Sequence, residues 1–518
     1  MHPKRIELEY TPWHHEDFKK SSVYSASSVV NQSNLKVIKT RFDKTRFDKI
    51  HLLIMNFRGR KRELNALETA WCGSTSAFIP VYGRRRVGKS EMIVHFMEKK
   101  PGVYFVGKRA PGESQITEFL EIAARSLNEP LLAQARVNGW REALELVVKR
   151  WTGKTKLVLT LDEFQWMAEA APELPSVIQA LWDRDWSKSG RVMLILCGSY
   201  LGFMEREVLG KKSPLFGRRT AQILLKPFNH LEAAEFHPRY SIVDQARVYA
   251  ICGGIPMYLL NFDEKLSVEQ NISAKILDDL SALSREPEFL LREELRDLMP
   301  YHAVLMALAQ GKTAPVQLAG STGIDVRGLN YHLNTLVDLG YVQRRYPLTE
   351  KKPNVRSVRY ALDDPFLRFW FRFIFPHQST LRLLGPQRGY VEMIKPDIEA
   401  YYGRCFERLC RECLPLIYHA ERVRTAFQYG EYWDKNVQVD VVGLRGDGWT
   451  DLGECKWGDI PSWATLAAEL ESKISLYPND RNATVGRRLF IRATKGKNKP
   501  ANIQVHTLTD LYALKSPP

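Results

Sequence analysis

The sequence has no apolar segment that approaches the roughly 20 residues needed by a membrane-spanning helix. Its first residues, MHPKRIELEY, are polar and charged, whereas a secretory signal carries a continuous apolar stretch. Both absences argue against a membrane protein and a secreted protein. We therefore expect a cytoplasmic protein with no membrane partner.

Cysteine is scarce, with seven residues in 518. An odd number of scattered cysteines favours neither a disulfide framework nor a zinc site. Cys405, Cys410 and Cys413 stand close together, but in an apolar helical context with Phe406 and Leu409. This context favours small core side chains over an iron–sulfur site.

Acidic residues are in the minority, since 59 Asp and Glu face 75 Lys and Arg, which gives a net charge of +16. An excess of positive charge favours a polyanionic partner, and nucleic acid is the leading candidate. A basic protein without such a partner is the alternative.

The chain is too long for one hydrophobic core, so we expect about three domains. Changes in residue pattern divide it into a polar extension (1–54), an α/β region (55–230), a helical region (231–295), a helical and hairpin region with an aromatic linker (296–384) and a second α/β region (385–518). The extension shows no helical or strand period, which predicts a disordered tail or a mis-assigned start before Met55.

Between residues 55 and 230, apolar runs alternate with helical stretches, which predicts a parallel α/β sheet. The runs are Ala77–Tyr82, Val103–Val106, Leu157–Leu161, Val192–Cys197 and Ile223–Leu225.

A phosphate-binding loop follows the first of these runs and opens a predicted helix. Its residues are Gly83, Arg84, Arg85, Arg86, Val87, Gly88, Lys89 and Ser90, which match GxxxxGK[ST]. The glycines allow backbone N–H groups to surround phosphate oxygens, Lys89 can reach the β and γ phosphates, and Ser90 can bind Mg²⁺. The motif predicts an ATP and Mg²⁺ site.

Two carboxylates end the buried run LVLTLDEF. We expect Asp162 to bind the magnesium and Glu163 to act on the attacking water, which indicates hydrolysis as well as binding. The alternative, two ordinary acids at a strand end, is weak beside a phosphate-binding loop.

Residues 300 to 365 predict three helices and a basic two-stranded wing, the pattern of a winged helix. On duplex DNA, Arg327 and Asn330 of the third helix would face the groove. The wing cations expected to meet phosphates are Arg344, Arg345, Lys351, Lys352 and Arg356.

With these motifs the chain resembles the archaeal-type ATPases of the AAA+/STAND group, in which FRGR-x-x-EL precedes YGRRRVGK[ST]. The resemblance implies that Phe57 and Arg60 lie against the adenine and that Ser199 of CGSY is a polar sensor. It also offers Arg218 and Arg219 as arginine fingers, which implies a homo-oligomer. A solvated arginine pair is the alternative for these two.

The last region of such proteins has an uncertain role and resembles the PD-(D/E)xK nucleases. Here VQVDVVGL and DLGECKWG flank a turn about Asp447, so the numbers of facing residues sum to 894 and Asp440 lies opposite Glu454. Facing carboxylates repel unless a cation such as Mg²⁺ or Mn²⁺ lies between them. Lys456 shares their face and could act on a metal-bound water.

Glu407 matches the helical acid that such nucleases place beside the metal. A surface residue paired with Arg404 or Arg411 is an equal alternative. Whether the region cuts nucleic acid stays open, because this fold persists in binding domains that have lost catalysis.

The predicted fold class is α/β: a P-loop NTPase sheet with a helical lid, a winged helix and a nuclease-like α/β domain. We expect an ATPase that binds double-stranded DNA and carries the catalytic set Glu407, Asp440, Glu454 and Lys456. The alternatives are an ATP-switched regulator with an inactive last domain and a protein-binding signalling ATPase.

Overall fold

The computed structural model describes residues 57–349, 357–460, 462–494 and 500–515. The predicted extension 1–54 and the wing residues Lys351, Lys352 and Arg356 lie outside the described residues. Across the described part, no helix is long and apolar enough to cross a membrane.

The first sheet has five parallel strands in the order β2-β3-β4-β1-β5. They are β1 Ala77–Tyr82, β2 Gly102–Val106, β3 Leu157–Asp162, β4 Val192–Gly198 and β5 Ile223–Leu224. The continuous apolar runs arise because β1, β3 and β4 are buried on both faces, as is usual for parallel strands. The predicted parallel α/β sheet is confirmed, and each predicted strand agrees within one residue at either end.

Helices cover both faces of this sheet, and successive strand residues enter opposite cores. Phe78 packs into one core, whereas Ile79 packs into the other. The helical segments are Lys61–Cys72, Lys89–Met97, Gly112–Leu127, Leu131–Gln134, Trp140–Arg150, Phe164–Ala170, Leu174–Leu181, Trp182–Trp186, Ser187–Ser189, Leu201–Phe203 and Met204–Val208.

A helical lid follows, with a sharp break at GGIP between Ile242–Cys252 and Pro256–Asn261. Gly254 is required there, because a Cβ at this position would lie 1.8 Å from the Phe228 carbonyl oxygen. The lid segments are His230–Ala234, Ile242–Cys252, Pro256–Asn261, Val268–Asn271, Ile272–Leu277 and Glu286–Glu294.

The next unit contains three helices and a two-stranded antiparallel sheet, the element order that the sequence predicts. The elements are Met299–Ala309, Pro315–Thr322, Val326–Asp338, β6 Val342–Arg345 and β7 Arg359–Leu362. The third helix buries Leu329, Leu333 and Leu336. The aromatic linker then forms Pro365–Phe369, Trp370–Ile374, Phe375–His377, Gln378–Gly389 and Tyr390–Ile394.

The last region packs a long helix on a second five-stranded sheet of order β12-β11-β10-β9-β8. Its elements are Lys395–Ala420, β8 Phe427–Trp433, β9 Gln438–Arg445, β10 Trp449–Lys456, Trp463–Leu476, β11 Thr484–Ile491, β12 Gln504–Thr507 and Leu508–Tyr512. Strands β8 to β10 are antiparallel, whereas β10 to β12 are parallel. Cys405, Cys410 and Cys413 are buried in the long helix, as predicted for core side chains.

Candidate functional site

The phosphate-binding loop runs from the end of β1 to the first turn of Lys89–Met97. Gly83 admits no side chain, because a Cβ would lie 2.3 Å from the Leu225 carbonyl oxygen. Gly88 has a φ of +87°, the left-handed region that glycine adopts without strain. Lys89 is buried, and its ammonium donates to the Arg84 carbonyl 3.0 Å away, inside the loop.

The carboxylate of Asp162 is the hub of this site. Its Oδ2 accepts hydrogen bonds from the Ser90 hydroxyl at 2.7 Å and from the Tyr104 hydroxyl, and its Oδ1 accepts from the Glu163 N–H at 2.8 Å. A hydroxyl and a carboxylate oxygen held together are hard ligands that suit Mg²⁺. Burial and the Asp162 charge raise the pKa of Tyr104 well above its usual range, so the phenol stays a donor.

Glu163 is held by two polar side chains. The Ser199 hydroxyl donates to its Oε2 at 2.8 Å, and the Gln165 amide donates to the same oxygen. Ser199 directly follows β4 and lies beside Glu163, and its role as a polar sensor stays a prediction. Tyr104 and Gln165 were not predicted as site residues, because neither belongs to a recognisable motif.

Phe57 and Arg60 lie next to the loop. Phe57 stacks on His95 with ring centroids 4.4 Å apart. Arg60 is buried, donates to the Val87 carbonyl at 2.9 Å and lies 3.9 Å from the Phe228 ring centroid. Arg60 therefore supports the loop backbone, and its contact with adenine stays a prediction.

The side chains of Arg84, Arg85 and Arg86, here called the P-loop arginines, bind carboxylates far away in the sequence. Arg84 pairs with Asp364, Arg85 with Glu293 and Glu294, and Arg86 with Glu286. Because each guanidinium group already pairs with a carboxylate, we expect the three arginines to contribute to nucleotide binding mainly through the backbone, and this stays a prediction.

Arg218 is held by an acid of its own chain, whereas Arg219 lies within electrostatic range of Tyr82, next to the phosphate-binding loop. Arg218 forms a two-point ion pair with Asp183, at 2.8 Å and 2.6 Å. The adjacent Thr220 N–H bonds to the Phe78 carbonyl near the start of β1, roughly 16 Å of strand from the phosphate-binding loop. A finger role for either arginine stays a prediction.

The predicted hairpin register is confirmed. Paired residues of β9 and β10, from Thr450 with Leu444 to Gly453 with Val441, have numbers that sum to 894. One step beyond, Asp440 accepts a hydrogen bond from the Cys455 N–H at 3.1 Å. Asp440 and Glu454 are both buried, with 7% and 4% of their surface exposed.

Two lysines neutralise Glu454. The Lys456 ammonium lies 3.3 Å from Glu454 Oε1 and 3.0 Å from Glu469 Oε2, while Lys473 of the helix Trp463–Leu476 pairs with the other Glu454 oxygen. Burial and the charge of Asp440 raise the pKa of Glu454 and so favour its protonated form. The two lysines act in the opposite direction and favour the charged carboxylate. Lys473 was missed because a helical lysine carries no motif signal.

Glu407 faces this pair of carboxylates from the long helix. Burial, followed by repulsion from Asp440, raises its pKa to about 7. Arg411 instead donates to the Asp440 carbonyl at 2.8 Å and lies 3.4 Å from Glu431. In the described chain Glu407 forms no ion pair with Arg404 or Arg411, so the surface-pair alternative is wrong.

A metal at this hairpin would have few protein ligands. Among residues 57–349, 357–460, 462–494 and 500–515, no group of three or more His, Cys, Asp or Glu side chains is arranged for a metal ion. Asp440 and Glu454 are hard oxygen donors that fit Mg²⁺ or Mn²⁺ only if other oxygens complete the shell.

The hairpin β6–β7 packs against the last sheet. Arg345 pairs with the buried Glu431, and the Leu348 N–H donates to the Glu431 carbonyl at 2.8 Å. The prediction that Arg345 meets phosphates is therefore wrong for this conformation. Burial and the nearby Arg411 lower the pKa of Arg345 to about 10.

The outer face of Val326–Asp338 is open. Arg327, Asn330 and Asn334 are exposed, and Arg344 of β6 donates to the Asn334 side chain. These residues form one polar, basic surface, here called the helix face.

Two families match the chain. Residues 57–262 match an ATPase domain predominantly from Archaea, and residues 370–470 match archaeal and bacterial proteins of unknown function. The chain thus combines an archaeal-type P-loop ATPase domain with a C-terminal region of that uncharacterised family, and it is an ATPase. The predicted resemblance is confirmed to this extent.

An uncharacterised protein of Methanocaldococcus jannaschii is 28% identical over 408 residues, covering 78% of this chain and 88% of the relative. An uncharacterised ATP-binding protein of the same organism is 47% identical over 47 residues, covering 9% of this chain and 80% of the relative. The Walker-type ATPase of Pyrococcus abyssi has a TM-score of 0.46 at 19% identity, and the match covers 61% of this chain and 96% of the chain of that ATPase. The ORC2 protein of Aeropyrum pernix has a TM-score of 0.40 at 13% identity, with 63% and 95% covered.

Proposed function

We propose that this ATPase is a nucleotide-controlled protein that binds double-stranded DNA through the helix face. The observation that carries the proposal is the set of contacts between the P-loop arginines and the unit that bears this face. Arg84 pairs with Asp364, which lies two residues after the end of β7. Arg85 donates to Glu294 at 2.9 Å, and Glu294 also accepts from the Tyr341 hydroxyl at 2.6 Å, just before β6.

Both ends of the β6–β7 hairpin are thus attached to the loop that would hold the ATP phosphates. A change in loop conformation on nucleotide binding or hydrolysis would shift these ion pairs and the helix face with them. Coupling of this kind typically amounts to about 1–3 kcal/mol between two sites.

Three features support DNA as the ligand. The net charge of +16 favours a polyanion. The three helices and hairpin correspond to a winged helix, whose third helix enters the major groove. The exposed amides of Asn330 and Asn334 and the guanidinium of Arg327 can bond to base edges and phosphates.

The test is the affinity for labelled duplex DNA across a salt titration, by fluorescence anisotropy. Arg327→Ala should weaken binding and reduce the salt slope by about one unit. Arg239→Ala is the matched control, because Arg239 is equally exposed but pairs with Glu264 on the lid. If both variants lose the same amount of DNA affinity, the effect comes from net charge and not from the helix face. If the wild-type protein shows no salt-dependent DNA binding, a protein partner is favoured instead.

A second candidate function is metal-dependent cleavage of a phosphodiester at the hairpin. It is favoured by the buried pair Asp440 and Glu454 in confirmed register, with Glu407 beside them. A divalent ion bound there would supply Lewis acidity and a nucleophilic water. Lys456 and Lys473 hold Glu454 in place and present positive charge to an incoming phosphate.

Plasmid nicking with Mg²⁺ or Mn²⁺ tests this activity. Asp440→Ala and Glu454→Ala should lose metal binding and cleavage, whereas Lys456→Ala should keep the metal and lose cleavage. ATP turnover should survive all three changes, which controls for folding. If the wild-type protein binds no divalent ion at this hairpin, the cleavage hypothesis is wrong and the last region is an inactive binding domain.

The arginine fingers would act between copies of the chain. Arg218 is bound to Asp183 of its own chain, so we expect the fingers to contact the γ-phosphate of a neighbouring copy in a homo-oligomer. ATP turnover per protein should then rise with protein concentration, and this rise should disappear in Arg218→Ala.

A further inference from the structure

A small cavity lies where the phosphate-binding loop, the lid, the linker and the long helix meet. It has a volume of about 40 Å³ and is lined by three arginines, Arg84, Arg368 and Arg408, together with Asp363 and the backbone of GGIP. No motif predicted it, because the arginines come from three separate elements.

Two of these arginines have carboxylate partners. Arg84 pairs with Asp364, and Arg408 lies 3.0 Å from Asp363 and 2.7 Å from Glu412. The Arg84 Nε is nevertheless buried and has no hydrogen-bond acceptor within the described residues. One N–H donor of Arg84 therefore remains available next to the cavity.

Arg368 differs from the other two. Across the described ranges it has no ion pair with a carboxylate, and its Nε is buried without an acceptor. Its neighbours are Cys405 and Tyr401, whose ring centroid lies 5.9 Å away and whose hydroxyl oxygen accepts a hydrogen bond from Arg368. The Tyr401 hydroxyl already donates to the Ala250 carbonyl at 3.0 Å.

Arg368 is partly exposed, but its buried Nε lacks an acceptor, and a buried donor without a partner is unfavourable. An anion beside Arg368 would supply both the acceptor and a negative charge. A cavity of this volume holds roughly three water molecules, which is also about the size of a tetrahedral oxyanion. Guanidinium groups bind such oxyanions through two parallel hydrogen bonds.

We propose that this cavity binds a small free oxyanion such as inorganic phosphate, held mainly by Arg368 with help from Arg84 and Arg408. The site is distinct from the nucleotide site, because Arg84 contributes its backbone to the phosphate-binding loop and its side chain to the cavity.

The test is thermal unfolding of the full chain, without nucleotide, in a buffer of a bulky organic anion with and without inorganic phosphate. The melting temperature of the wild-type protein should rise by about 1–3 °C when phosphate is present at ten times its dissociation constant or more. Arg368→Met should lose the phosphate gain, because it removes the guanidinium that would hold the anion.

Two control variants separate this site from other effects. Arg239→Met, an exposed paired arginine, measures the general stabilisation of proteins by phosphate and should keep the full gain. Lys89→Ala removes the ammonium of the nucleotide site and should also keep the phosphate-dependent rise in melting temperature.

A phosphate gain that persists in Arg368→Met, or no gain in wild type beyond that of a neutral osmolyte, would overturn the proposal. If Arg368→Met does not fold, Arg368→Lys decides. A reduced gain in that variant supports the site, because lysine keeps the charge but loses the two-point contact, whereas an unchanged gain overturns it.

Discussion

The buried ion pair between Arg84 and Asp364 offers the sharpest perturbation of the contacts that link the phosphate-binding loop to the hairpin. The two side chains are 9% and 1% exposed, and the Arg84 guanidinium lies 5.0 Å from the Tyr341 ring centroid. Asp364 has a second role, because its Oδ1 accepts from the Leu367 N–H at 2.8 Å and caps the helix Pro365–Phe369.

Asp364→Asn separates these roles. Asparagine caps a helix as well as aspartate does, so the cap is retained while the negative charge is removed. Arg84 is then left as an uncompensated buried cation, which costs about 3–5 kcal/mol of unfolding free energy. We also expect weaker ATP binding, because the Arg84 carbonyl and side chain set the conformation of the loop around Lys89.

The assay is equilibrium urea unfolding of the full chain at pH 7, with ATP affinity measured on the same samples. The double variant Arg84→Met/Asp364→Asn removes both charges and should recover most of the lost stability. If Asp364→Asn were as stable as wild type, or if the double variant lost the sum of the two single effects, the argument from the buried pair would fail.

Three further predictions concern other parts of the chain. Lys89→Ala should abolish ATP turnover, whereas Glu163→Gln should bind ATP normally but hydrolyse it roughly 10²-fold more slowly, as measured by phosphate release and nucleotide titration. Because the pKa of Glu407 is raised from 4.5 to about 7, the folded state loses stability as the pH rises through this range. Glu407→Gln should flatten that decline in melting temperature between pH 5 and 8, and parallel curves would contradict the assigned burial. Arg344→Gln should reduce the salt dependence of DNA binding, whereas Arg345→Gln should reduce stability instead, since only Arg345 is paired with a buried acid.

The nucleotide site and the first sheet could be predicted because their signals are local. A GxxxxGK[ST] loop between a strand and a helix leaves little freedom in the positions of Lys89 and Ser90. The hairpin register followed from the turn about Asp447 alone, because each step along paired antiparallel strands adds one residue on each side.

The partners of the P-loop arginines could not be predicted, since they lie 200 or more residues away in the sequence. The sequence analysis also did not predict strand β8. Strand β8 carries the exposed Tyr429 and the bulge after Gly430, so its pattern alone does not indicate a strand. The position of β8 in the sheet also places Glu431 beside Arg345, which is why the prediction that Arg345 meets phosphates is wrong for this conformation.

The central claim is that nucleotide state controls DNA binding through the P-loop arginines. The most direct measurement is the dissociation constant of labelled duplex DNA for Glu163→Gln protein, saturated first with ATP and Mg²⁺ and then with ADP and Mg²⁺ at the same salt. We predict a difference of about fivefold or more, which a further change of Arg85 to Gln reduces, because only the Arg84–Asp364 link then remains. Equal affinities in the two nucleotide states would contradict the account.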